Sequence, residues 1–183
     1  MDDVQIIRCL KSGEIDKIGL LVTRYQIKAL RVAFLITHDK HVAEDIVQET
    51  FIRIFRNVRQ FDENRPFEPY LMRSVVNASL NVARREKRLV SLDGNTHTVG
   101  NLLARAALVE SQSEYARIEQ DILSALSQLP PRERVVIIQR YYLEMSEKEM
   151  AEALNSAPGT IKWLLNIARS HLRTLLRSER SAE

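Results

Sequence analysis

The sequence predicts an all-α fold: two small helical domains joined by a flexible linker, the C-terminal one carrying a helix-turn-helix. Three observations predict it. Glycine and proline number only five each in 183 residues, so few punctuators interrupt regular structure. Apolar residues recur over long stretches at three- and four-residue steps, the period of an amphipathic helix. That periodicity lapses between Leu89 and Gly100, where Ser91, Asp93, Gly94 and Asn95 cluster as turn formers.

The elements follow in order. Ile15, Ile18, Val22, Tyr25, Ala29, Val32 and Ile36 form the first apolar stripe, and residues 37–40 break it. A second helix over 41–59 carries Ala43, Val47, Phe51, Ile54, Phe55 and Val58. Residues 61–66, with two acids, an Asn and a Pro, read as a loop. Pro69 fits the first turn of a third helix that runs to about Arg88. The predicted domains are therefore 1–88 and 111–183, with 89–110 as linker. Fully extended, that linker reaches roughly 75 Å, at about 3.3–3.6 Å per residue.

Beyond the linker, helical pattern resumes strongly over 115–129. Pro130 and Pro131 stop that helix and start the next, expected over 132–142. Ser146, with Glu149 three residues on, is a capping box for a short helix. Residues 155–158 make a turn, and a last helix is expected over 159–178.

Bulk properties exclude several function classes. A single cysteine, Cys9, allows no internal disulfide, and no apolar run approaches the roughly 20 residues of a membrane span. The start Met1-Asp2-Asp3 is acidic where a signal peptide is basic. A soluble cytoplasmic protein without direct membrane insertion is the expectation. There is no Gly-rich phosphate loop, nucleophile motif or zinc-type cysteine pair, so neither enzyme activity nor a cofactor is expected. His38 and His41 have only Cys9 as a soft companion, which is too little for a metal site. The net charge of +3 is too mild to argue for nucleic acid by itself, so the arrangement of charges must carry that argument.

Residues 146–169 match a helix-turn-helix. Ala151 is the small residue that lets the second helix cross closely. Asn155 tolerates the left-handed turn conformation, and Ile161 faces the core. Leu154, Leu165, Ala168 and Leu172 continue that stripe. On the other side lie Thr160, Lys162, Arg169, Arg173 and Arg177, suited to phosphate and base contact in a major groove. A basic, solvated face on a structural helix pair gives the same pattern. In the second helix, Asp45, Gln48, Glu49, Ile52 and Arg56 share the face opposite the apolar stripe. Acid, amide and an exposed Ile suit a protein interface, although plain solvation is the competing account.

The run Ala43-Glu44-Asp45-Ile46-Val47-Gln48-Glu49-Thr50-Phe51 closely resembles the segment of sigma-70-type factors that docks on the β′ clamp helices of RNA polymerase. Pro66-Phe67-Glu68-Pro69-Tyr70-Leu71, with Arg73 and Asn77, resembles the family's helix for promoter melting and −10 reading. Residues 125–130, Arg132-Glu133-Arg134 and Gly159-Thr160-Ile161-Lys162 resemble its −35-reading domain. These blocks stand in family order over about 160 residues. No third domain fits between the two and no extension precedes the first, a layout similar to the extracytoplasmic-function (ECF) group.

The resemblance implies a transcription initiation factor that binds core RNA polymerase, through the β′ clamp helices and the β flap, and directs it to promoters. Polymerase contact falls on Asp45, Gln48, Glu49 and Ile52. Single-stranded −10 contact falls on Phe61, Asn64, Phe67, Tyr70, Arg73, Asn77, Asn81, Arg84 and Arg85. Duplex −35 contact falls on Pro158, Gly159, Thr160, Lys162, Trp163, Asn166 and Arg169. An anti-sigma factor is a further implied partner. The chemistry agrees, because capturing unstacked bases needs cations and aromatic or amide groups along one track. For Phe67 and Tyr70 an ordinary core role is the alternative.

The sequence departs from the family pattern at several places. Tyr70 replaces a usual Trp, Asn155 a Gly, and Ser156 an aliphatic residue. Lys162-Trp163-Leu164-Leu165 replaces Lys-Ser-Arg-Leu, and Ile167 replaces an Arg, so two cations are missing from the recognition helix. Trp163 has three possible uses: reading a thymine methyl, packing on a partner, or filling a local gap. Two rivals remain at this point. One is a free-standing helix-turn-helix regulator acting without core polymerase, and the other is an interaction scaffold that has lost DNA contacts.

Overall fold

The computed structural model describes residues 1–93 and 114–181, with side chains over 1–85 and 117–177. Among the described residues there is no strand, and no helix is long and apolar enough to cross a membrane. The chain forms two compact units, Met1–Ser79 and Leu80–Glu183.

The first unit opens with α1 (Asp3–Ser12), a helix that the sequence reading did not anticipate. Its N-terminus is held by a reciprocal box. Gln5 N donates to Asp2 Oδ1 at 2.8 Å and Asp2 N donates to Gln5 Oε1 at 3.0 Å. Gly13 ends it at φ 105°, a conformation that favours glycine. Ile6, Ile7 and Leu10 are buried, each worth about 1.5–3 kcal/mol of apolar transfer. A 3-10 turn (Ile15–Lys17) leads into α2 (Ile18–Thr37), so Ile15 starts no helix and stands exposed.

His38 closes α2 in the left-handed region at φ 57°, its N–H donating to Phe34 O at 2.7 Å. Asp39 then caps α3 (Lys40–Arg56) by accepting from Val42 N at 3.0 Å. The second predicted helix ends three residues early, because Asn57 leads into a separate 3-10 turn (Val58–Gln60).

Helix α4 (Phe67–Asp93) continues through Asp93, so the first five residues of the predicted linker are helical. The predicted linker over 94–110 lies outside the described residues. Two clamps tie the unit together. Lys11 Nζ donates to Phe61 O at 2.7 Å and to Glu63 Oε1 at 3.0 Å, while Arg8 Nε reaches Glu63 Oε2 at 2.7 Å. Lys28 Nζ meets Glu68 Oε1 at 2.6 Å, linking α2 to the first turn of α4.

The second unit contains α5 (Glu114–Gln128), α6 (Pro131–Ile137), α7 (Glu147–Ala153) and α8 (Pro158–Ser181). Its core is built from Leu126, Leu129, Val135, Val136, Met150, Ile161 and Leu165. Arg134, buried on α6, stops the end of α5. Its guanidinium donates to Leu126 O (2.8 Å), Ser127 O (2.7 Å) and Leu129 O (3.0 Å), carbonyls in and just past the last turn of the helix. Burial pulls its pKa down to about 10, still far above neutrality, so the carbonyls receive a full positive charge. His171 Nδ1 and Glu133 Oε2, 2.7 Å apart, join α8 to α6.

Past Ile137 the helix widens into a π turn (Ile138–Tyr142), closed by Leu143 N donating to Ile138 O at 3.0 Å. Gln139 lies in that turn, fully buried, and its side-chain amide has no hydrogen-bond partner among the described residues.

Candidate nucleic-acid and partner interfaces

Three surfaces carry the residues singled out from sequence. The first is the outer face of α3. Asp45, Gln48 and Glu49 are exposed and Ile52 is half-buried one turn on. None of the three polar side chains is engaged with another described residue. Neighbouring Glu44, by contrast, sits 3.9 Å from Lys40 Nζ and 3.8 Å from His41 Nδ1. The opposite face, with Ile46, Val47, Thr50, Phe51 and Ile54, is buried. The 3.6-residue period thus sends a two-acid, one-amide ridge outward, with its full hydration cost still to be exchanged for a partner.

The second surface follows residues 61–85. Its aromatic members divide differently from the sequence expectation. Phe67 is 3% exposed and Phe61 is 9% exposed, so both rings are core and neither offers a face to a base. Phe61 packs on Phe67 with centroids 5.9 Å apart, and Phe67 lies 5.7 Å from Tyr25. Tyr70 leans on Phe61 at 4.9 Å yet is 38% exposed, which leaves it the one accessible ring of the three. The 61–66 loop is drawn inward by the Lys11–Glu63 clamp, carrying Phe61 with it, and Phe67 starts α4 on its buried side.

Asn64 is exposed, but its N–H and Nδ2 both donate to Asp62 Oδ1 (3.0 and 3.1 Å), forming a side-chain-closed turn. Along α4, Arg73, Asn77 and Asn81 follow at one-turn spacing. Asn77 is half-buried, the other two are exposed, and so are Arg84 and Arg85.

The third surface is the helix-turn-helix of α7 and α8. The capping box forms as expected, with Ser146 N donating to Glu149 Oε2 at 2.8 Å and Glu149 N to Ser146 Oγ at 3.3 Å. The Ser146 hydroxyl and backbone bonds hold the Glu149 carboxyl below its ordinary pKa. Ala151 is buried at the crossing, and Asn155 takes the left-handed turn at φ 48°. Ile161, Leu165 and Ala168 face inward. Pro158, Gly159, Thr160, Lys162, Trp163, Asn166 and Arg169 are all exposed. A Cβ added at Gly159 would meet nothing within 4 Å, so the fold itself does not demand a glycine there. Arg169 Nη2 donates to Asn166 Oδ1 at 3.0 Å, coupling two of the expected contact residues. Trp163 is 62% exposed, which excludes the use of filling a local gap.

One feature escaped the sequence reading. Ile118 and Ile122 of α5, Tyr141, and Leu172 and Leu176 of α8 line an open groove of about 480 Å³. Arg169, Arg173, Arg177 and Asp121 border it, so three cations that periodicity set toward DNA also edge this apolar trough. The signal was present as i, i+4 apolar pairs at 118/122 and 172/176, but only the fold brings them together. Among the described residues, no group of three or more His, Cys, Asp or Glu side chains is placed to hold a metal ion.

The family model for sigma-70 region 2 matches residues 21–89, and that for sigma-70 region 4 matches residues 119–172. The ECF RNA polymerase sigma factor SigW of Bacillus subtilis is 31% identical over 177 residues, covering 93% of this chain and 95% of that protein. SigM of the same organism is 28% identical, over 82% of this chain and 90% of the relative. Among solved structures, CnrH in complex with the cytosolic domain of CnrY shares the fold. Its TM-score is 0.67 at 23% identity, with 96% and 97% of the two chains covered. RpoE from Bartonella quintana, solved with the anti-sigma factor NepR, gives 0.65 at 23% identity, with 87% and 96% covered.

Proposed function

From the chain's membership of the sigma-70 family, as an ECF RNA polymerase sigma factor, we propose how its surfaces divide the work of transcription initiation. The protein is a transcription initiation factor that binds core RNA polymerase and brings it to promoters. The family does this work by binding, without catalysis of its own.

Asp45, Gln48, Glu49 and Ile52 grip the polymerase β′ clamp helices. The observation that carries this assignment is the uncommitted state of the α3 acids beside a Glu44 that is already paired. Unpaired carboxylates and an amide, flanked by a half-buried Ile, match the polar rim and apolar centre of a protein interface. Arg73, Asn77, Asn81, Arg84 and Arg85 track the displaced −10 strand, with Tyr70 as the stacking ring and Asn64 beside it. Phe61 and Phe67 act beneath that ring, as its support. The exposed N-terminal turn of α8, with Gly159, Thr160 and the open space at Gly159, receives a phosphate of the −35 duplex. Pro158, Lys162, Asn166 and Arg169 complete that face.

The apolar groove of the second unit suits a short amphipathic element, and the β flap of the core enzyme is the partner assigned to it. An anti-sigma factor, such as the NepR bound to RpoE of Bartonella quintana, would compete for the same faces. The free-standing regulator is disfavoured because a region 2 match is present in addition to the helix-turn-helix.

The test is association with core polymerase. Reversing charge in Asp45→Lys/Glu49→Lys should weaken core binding at least tenfold while leaving the helical circular dichroism unchanged. Undiminished association of the folded double variant would refute the assignment.

A further inference from the structure

We infer that Trp163 is a specificity-determining residue that reads the 5-methyl group of one thymine in the −35 element. This rests on the assignment of α8 to the −35 duplex. Trp163 is the protein's only tryptophan and is 62% exposed, so burial in the core does not account for a large ring at this position. At about 100° per residue, it lies within about 40° of diametrically opposite each of the buried residues Ile161, Leu165 and Ala168. It is thus the outermost side chain of the first two turns of α8, flanked by exposed Lys162 and Asn166.

A recognition helix enters the major groove with its N-terminal residues against base edges. A ring at the outermost position of those turns meets the groove floor ahead of the phosphates. Indole has no charge for a phosphate and only one N–H donor, so its recognition chemistry is chiefly that of a flat apolar surface. Base edges in the major groove carry one apolar group, the thymine methyl. Covering that methyl removes apolar area from water on both sides. A cytosine at the same place would present an amino donor without an acceptor, so thymine is favoured. The missing cations at 164 and 167 weaken sequence-independent attachment, which raises the share of binding that depends on this contact.

The experiment uses holoenzyme reconstituted from core polymerase and the full chain, with promoter duplexes selected by that holoenzyme. Each −35 thymine is replaced singly by deoxyuridine, which deletes only the methyl. One replacement should weaken wild-type binding about fourfold, the worth of one buried methyl. Trp163→Ala should bind the thymine and deoxyuridine duplexes equally, and Trp163→Phe should retain part of the discrimination. If scrambling the whole −35 element has no effect, the assignment of α8 and this inference fall together. If scrambling weakens binding but no deoxyuridine is felt, or Trp163→Ala discriminates as wild type does, methyl reading alone is overturned. Loss of core association by Trp163→Ala, with the deoxyuridine effect intact, would overturn it in favour of a protein contact.

Discussion

Arg134 offers the most direct test of how the second unit is held together. The perturbation is Arg134→Met, which keeps most of the aliphatic volume and removes the guanidinium. Three carbonyls at 2.7–3.0 Å lose a charged donor, and two of those hydrogen bonds are fully buried. Hydrogen bonds to a charged group contribute about 1.5–3 kcal/mol each, and an abandoned buried acceptor costs about 1–3 kcal/mol. Removing the ion also returns its desolvation cost, so the contributions do not simply add. A net loss of about 3–5 kcal/mol is the expected range, comparable with breaking a buried charged pair. Small domains hold only about 5–15 kcal/mol in total, so the loss is a large fraction of the unit's margin.

Urea unfolding of the full chain measures it, followed by circular dichroism and by the fluorescence of Trp163, the single tryptophan, which lies in this unit. With a slope of about 1–3 kcal/mol per molar, the midpoint of the second unit should fall by roughly 2 M. Arg134→Lys should recover only part of it, since a point charge cannot fork to three acceptors. A midpoint within about 0.5 M of wild type for Arg134→Met would refute the capping argument.

Other consequences are as specific. Gln139→Leu replaces a buried amide without partners by an apolar group of similar size and should stabilise the second unit by about 1–2 kcal/mol; a measured loss by urea titration would show that the amide is satisfied in solution. The hydrogen bonds from Arg8 and Lys11 hold the Glu63 carboxyl below its ordinary pKa. Its contribution is therefore complete above the ordinary carboxylate range and is lost as pH falls through the depressed folded value. Amide exchange at Ile6, Ile7 and Leu10 should quicken over that acid interval, and Glu63→Gln should remove the step; an identical profile in the variant would contradict the clamp. Asn155→Ala forces an ordinary L side chain to φ 48° and should cost about 1 kcal/mol, read as a lower thermal midpoint of the second unit.

Features that depend on short stretches of chain were legible in the sequence. The Ser146–Glu149 box, the left-handed turn at Asn155 and the inward Ile161 are set by residues within one or two turns of each other. The α3 ridge was readable for the same reason, since one apolar stripe fixes both faces of a helix. Helix α1 has equally local signals in Asp2, Gln5 and Gly13, with Ile6, Ile7 and Leu10 as its apolar stripe. Other features require partners distant in the chain. Whether Phe61 faces out or in depends on Lys11, 50 residues away. The groove joins Ile118 of α5 to Leu176 of α8. The π turn at Ile138–Tyr142 leaves the apolar pattern of its neighbours intact, so periodicity does not reveal it.

The uncompensated acids of α3 also decide what the first unit turns away. A duplex sliding toward that helix brings rows of phosphate against Asp45 and Glu49, with no lysine or arginine ion-paired to either. Each of these two carboxylates repels a phosphate that comes within the roughly 8 Å over which such charges are felt at physiological ionic strength. Arg53 and Arg56 lie toward the other end of the same helix, so the repulsion is confined to the stretch around Asp45 and Glu49. A polyanion pressed against that stretch therefore meets a local barrier that a cationic or neutral partner does not.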